Sequence, residues 1–187
     1  MELRTVGDKL FWSYANLAML HAAISRGSVR LERVHYAIRA RHWRQLSTGG
    51  RPGSLIDDER LKLVLPQACS YCGNTDRSSL TVDHLLAKHR GGADAGENLV
   101  WACRSCNSSK RDRDVLEWLE SRGEFPSVLL LRRYLKLAIE LAAGHGLLQC
   151  PLEAATNEFP FALGRIPLPG DFPPLSELRL WIIDLND

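Results

Sequence analysis

No stretch of this sequence approaches the eighteen or so consecutive apolar residues that a helix needs to cross a bilayer, which excludes a helical membrane span. No secretory leader or transit pattern is read at its amino end, and no internal repeat is evident. A strong charge of one sign is also lacking. Lys and Arg number 24 against 22 Asp and Glu, a net charge of +2, so global charge identifies no partner. Cysteine is nearly confined to one place: four of the five lie between positions 69 and 106, and the fifth is Cys150. An odd count without a leader fits a reducing, cytoplasmic setting better than a secreted disulfide scaffold.

What the chain does have is two C-x-x-C pairs, Cys69/Cys72 and Cys103/Cys106. Four thiolates so spaced suit a tetrahedral Zn2+ that plays a structural part, with disulfides as the competing reading. The segment between the pairs is longer than a compact zinc ribbon needs, so it carries something else. Leu80 to His84 reads as a short strand, with Leu80 and Val82 alternating with polar positions. Gly91-Gly92 marks a turn, Asn98 to Ala102 a returning strand, and Arg104 to Arg111 a short helix. That order brings Asp83, His84, Asn98 and Asn107 within reach of one another.

On these residues the chain resembles the HNH endonucleases, the zinc-stapled branch of the ββα-metal (His-Me finger) fold. The matching pieces are C-x-x-C-G at 69 to 73, V-D-H at 82 to 84, G-G at 91 and 92, E-N-L at 97 to 99 and C-R-S-C-N-S-S-K at 103 to 110. Two positions depart from the pattern: Asn107 stands where the family name has a second His, and Ala87 replaces a common proline.

The resemblance implies metal-dependent hydrolysis of DNA phosphodiester bonds. His84 would be the general base that takes a proton from the attacking water; imidazole, which ordinarily titrates near pH ~6.5, suits that task at neutral pH. Asn98 would fix the loop and hold the His84 ring by a hydrogen bond. Asp83 and Asn107 would offer oxygen ligands to Mg2+ or Mn2+, the catalytic cation, while zinc stays structural. Lys110, Arg111 and His89 would meet DNA phosphates. A role in defence against foreign DNA, or in phage-type DNA processing, is in keeping with the resemblance. Two other readings stand beside it: a non-catalytic zinc module that binds nucleic acid, and a nuclease subunit activated by a protein partner.

The rest of the chain reads as a mostly helical α+β protein around this core. Residues 1–54 form a helical pair ending in the linker STGGRPGS. The first helix covers Met1 to Gly27 with Asp8 as its cap; the second starts at Ser28, with Leu31, Val34 and Ile38 facing inward. Between 26 and 51 lie seven arginines and one acid, Glu32, and Arg41 and Arg44 are the candidates there for contact with double-stranded DNA. Residues 55–123 form the nuclease core, entered by a short helix from Asp57 to Leu65. Residues 124–149 form an amphipathic helix that packs on the core or on a second subunit. Residues 150–187 are acidic and rich in proline, and Leu178 to Leu185 reads as a terminal strand covered by this chain or by a partner. A homodimer or protein partner would use this helix or the tail.

Overall fold

The computed structural model describes residues 2–55, 65–154 and 159–183. The helix read from Asp57 to Leu65 lies outside them but for its last residue. The first helix, α1 (Val6–Ile24), starts two residues before Asp8. Its N-cap is Thr5, whose side chain accepts the Asp8 amide while the Asp8 carboxylate accepts the Thr5 amide. Asp8 is thus the reciprocal partner of a capping box rather than the cap, and both groups relieve unpaired amides of the first turn.

The second helix, α2 (Arg33–Ser47), begins later than Ser28 would set it, at the cap Glu32, and its buried positions are His35 and Leu46. Val34, expected inside, is exposed. The pair pack through Trp12 against Trp43, edge to face, with the Arg39 guanidinium between the Trp12 and Tyr36 rings. These ring contacts hold α2 in place despite its few buried side chains.

The central unit is one antiparallel hairpin, β1 (Leu80–His84) with β2 (Leu99–Cys103), in a register that pairs Leu80 with Cys103 and His84 with Leu99. Helix α3 (Arg104–Lys110) follows β2 directly and lies against both strands. The expected strand, strand, helix order is present, but the alternation fails at the centre of β1. Val82 is 50% exposed and Asp83 is buried, because the inner side of β1 meets Tyr71 and Lys110 rather than an apolar layer.

Helix α4 (Val115–Glu120) is capped by Asp114, and α5 (Val128–Gly144) is enclosed for most of its length. Asp114 is a buried joint: it accepts hydrogen bonds from the Leu116 amide, the Tyr134 hydroxyl and the Ala162 amide. One hydrophobic core runs from Val6 and Leu10 through Trp118 and Leu131 to Phe161 and Ile166. The apolar stripe of α5 is therefore spent within this chain, largely against α1. Residues 178–183 form no strand. They instead present the Arg179 and Leu180 carbonyls to the amides of Val128 and Leu129 at the start of α5, where a helix has no intrahelical acceptors.

Candidate active site

The four cysteine sulfurs converge. All lie within 4.8 Å of one another, and those of Cys72 and Cys103 are 3.8 Å apart. A tetrahedral zinc with Zn–S bonds of about 2.3 Å spaces its sulfurs about 3.8 Å apart, so this donor set fits the ion. The knuckles are built by the chain itself: Gly73 takes φ +78 and donates to the Cys69 carbonyl, while the Cys103 sulfur accepts the Cys106 amide. Burial and the neighbouring thiolates push the Cys106 thiol far up. That repulsion is what a bound cation relieves. Ile182 and Ile183 lie against Gly73, so the tail covers this knuckle.

His84 closes β1. Its carbonyl accepts the Lys110 ammonium at 3.0 Å, and its ring Nε2 lies 2.9 Å from Asp94 Oδ1. The other Asp94 oxygen takes the Lys88 ammonium at 2.7 Å. Bonds from Lys88 first and His84 second hold the Asp94 carboxyl below the usual carboxylate range. Asp94 is the residue that sequence reasoning missed; one acid in a Gly-Gly-Ala-Asp-Ala-Gly turn gives no signal of its own.

Asn98 is fully buried. Its Oδ1 accepts the Leu86 amide, and its Nδ2 donates to the Leu86 and Ala93 carbonyls, at 2.8 to 2.9 Å. It staples the two sides of the loop together. The expected bond to the His84 ring is not made, because these backbone groups take the amide and Asp94 takes the ring. Gly92 is required at the crossing, since a Cβ there would overlap the Leu86 carbonyl oxygen. From α5, Arg133 Nε donates to the Glu97 carbonyl at 2.7 Å and so holds the turn that carries Asn98.

Asp83 and Asn107 sit on the β1–α3 face. Asp83 is 7% exposed, and its Oδ2 takes the Tyr71 hydroxyl at 2.6 Å and the Lys110 ammonium at 2.9 Å. Beside this carboxylate, burial first and then its charge push the Tyr71 phenol well up, so Tyr71 stays the donor. Asn107 Nδ2 donates to Thr81 Oγ1 and the Val82 carbonyl. Among the described residues, Asp83 Oδ1 and Asn107 Oδ1 carry no hydrogen bond. Both are oxygen donors of the kind a hard divalent cation takes.

Lys110, read from the sequence as a phosphate contact, is buried against Asp83. That reading is corrected: α3 turns its side chain under β1, onto Asp83 and the His84 carbonyl. Arg111, His89, Arg41 and Arg44 are exposed.

Residues 69–113 match a protein-family model described as HNH endonuclease. The match spans both cysteine pairs, both strands, α3 and every residue of the loop between them, and it marks this stretch as an HNH domain with a nuclease-type function. No curated protein and no solved structure matches the chain. No helix among the described residues is long and apolar enough to cross a membrane.

Proposed function

We propose that this protein is a metal-dependent endonuclease that hydrolyses DNA phosphodiester bonds, with His84 as general base. One observation carries the reading: within the HNH match, the hairpin carries a partly exposed, hydrogen-bonded imidazole at His84, next in sequence to the buried Asp83 carboxylate. A pure binding module needs neither a fixed base nor unbonded oxygen ligands beside it.

In this reading the loop does the positioning. Asn98 and Arg133 hold the backbone on which His84 and its neighbours stand, so the base meets substrate without a search of conformations. His84 takes the proton of the attacking water. Asp83 and Asn107 would hold Mg2+ or Mn2+, which when bound would supply charge to stabilise the phosphoryl oxygens and the leaving 3′ oxygen. Zinc on the four cysteines is structural. Products would carry 5′-phosphate and 3′-hydroxyl ends, as the family resemblance implies. Arg111, His89, Arg41 and Arg44 are exposed basic side chains suited to DNA phosphates, and a role in defence against foreign DNA is in keeping with this activity.

The test is cleavage of supercoiled plasmid with Mg2+ or Mn2+ and with EDTA, by the zinc-loaded protein and by a folded, zinc-loaded His84→Ala variant. Nicking that needs the metal and falls by about 100-fold or more in the variant is the expected result. Equal cleavage by both proteins would remove His84 from the mechanism, and no cleavage by either would favour a binding module or a partner-activated subunit.

A further inference from the structure

Asp94 lies outside every motif that marks the domain, yet among the described residues it makes the one hydrogen bond to the His84 ring. An exposed carboxylate on a flexible loop would hold a histidine poorly, since such pairs contribute little in water. This loop is fixed independently of that pair. Asn98 binds the carbonyl of Ala93, the residue before Asp94, and both backbone groups of Leu86. The Gly92 amide donates to the Ala87 carbonyl, and Arg133 anchors the Glu97 carbonyl beyond. The backbone that carries Asp94 is thus held on both sides, at Ala93 and at Glu97. Lys88 binds its second oxygen, which leaves the first for His84.

The chemistry of the pair fixes a tautomer. An ionised carboxylate can only accept, so the ring nitrogen facing it must be the donor. Nε2 then carries the hydrogen in the neutral ring, and the lone pair that can take a proton is on Nδ1. We infer that Asp94 is the positioning residue of this site: it holds the His84 ring with Nε2–H donated to its carboxylate, and so makes Nδ1 the nitrogen that takes the proton from the attacking water. The inference rests on the nuclease reading above for its catalytic meaning. In the step, an O–H bond of water breaks as the Nδ1–H bond forms. The water oxygen bonds to phosphorus while the bond from phosphorus to the 3′ oxygen breaks, and that oxygen is protonated from solvent. The imidazolium so formed faces Asp94, and the proton on Nδ1 afterwards returns to solvent.

Two readouts test this on the full-length, zinc-loaded protein, compared with Asp94→Ala and Asp94→Asn. Asp94 is 61% exposed, so both variants should fold. The first readout is the 15N spectrum of the His84 ring at a pH where it is neutral, which reports directly which nitrogen bears hydrogen. The second is the division of plasmid nicking between kcat and KM. Expected are an Nε2–H ring in the unaltered protein and a mixture of tautomers in Asp94→Ala. With them should come a kcat lower by about 10- to 100-fold at nearly unchanged KM, partly restored in Asp94→Asn, whose amide oxygen still accepts. An Nδ1–H ring in the unaltered protein, or a ring spectrum that Asp94→Ala leaves unaltered, would overturn the inference. So would a kcat that stays the same or rises in Asp94→Ala, the rise marking Asp94 as a stopper that substrate displaces. Should no protein cleave, the nuclease reading fails, and the ring spectrum still decides what Asp94 does to His84.

Discussion

A lysine with 1% of its surface exposed cannot neutralise a phosphate in solution. Lys110 instead ties α3 to β1 twice, through Asp83 and through the His84 carbonyl. Removing one partner of a buried pair leaves the other charge desolvated, at a cost of about 3–5 kcal/mol. Lys110→Met should therefore lower the urea midpoint by an amount of that order, partly offset by the Tyr71 hydroxyl that remains on Asp83. An unchanged midpoint together with weaker DNA binding would return Lys110 to the surface role. Nothing in C-x-x-C-N-x-x-K tells a buried lysine from a solvated one; the difference lies in Tyr71 and Asp83, which only the fold brings beside it. Asp94 was illegible for the same reason. His84, Asn98 and the cysteines were legible because each belongs to a spaced set.

At the scale of elements, a two-stranded hairpin of five-residue strands is marginal alone. Here the cysteine knuckles lie at its open end: Cys69 and Cys72 just before it, Cys103 at the last residue of β2 and Cys106 in α3. A metal held there would join the entry of the domain to its exit, and its binding energy would count as folding energy. Stripping the metal with a chelator strong enough for thiolate-bound zinc should lower the thermal midpoint by 10 °C or more, a shift of roughly 3 kcal/mol or above. Metal release and circular dichroism followed together would check it, and a midpoint indifferent to metal would deny the site a structural role. The order of strands and helix could be read from the sequence because apolar runs and glycines punctuate it. The inward turn of Asp83 could not, since period-two alternation places Val82 inside, and the polar layer under β1 comes from Tyr71 and α3. The tail was misread as a strand because its Trp-Ile-Ile run has strand composition; its carbonyls cap a helix instead.

For the molecule as a whole, the arginine-rich helix is the largest feature left without an inward task. Arg39 is used in packing, whereas Arg33, Arg41 and Arg44 are exposed along one side of α2. If DNA lies along this side, each phosphate contact contributes a slope of about −0.9 in log affinity against log salt. Replacing Arg33, Arg41 and Arg44 with Gln in a His84→Ala background should then reduce the slope by about 2 to 3. An identical slope would assign this side to solvent. The enclosure of α5 likewise shifts any search for a second subunit away from its apolar stripe, which reads in the sequence like a docking face and is spent inside the chain.

The clasp between the Arg179 carbonyl and the Val128 amide, and that between the Cys150 carbonyl and the Val6 amide, join distant parts of the chain. The cysteine knuckles, by contrast, are each closed within a few residues. Chain closure grows only slowly more costly with length, about 0.6 kcal/mol per doubling, yet distant contacts give no reward until closure is complete. The cysteine centre, which brings Cys72 to Cys103 across 31 residues, closes less chain than the clasps, at 51 and 144 residues, so the clasps are expected to form after it.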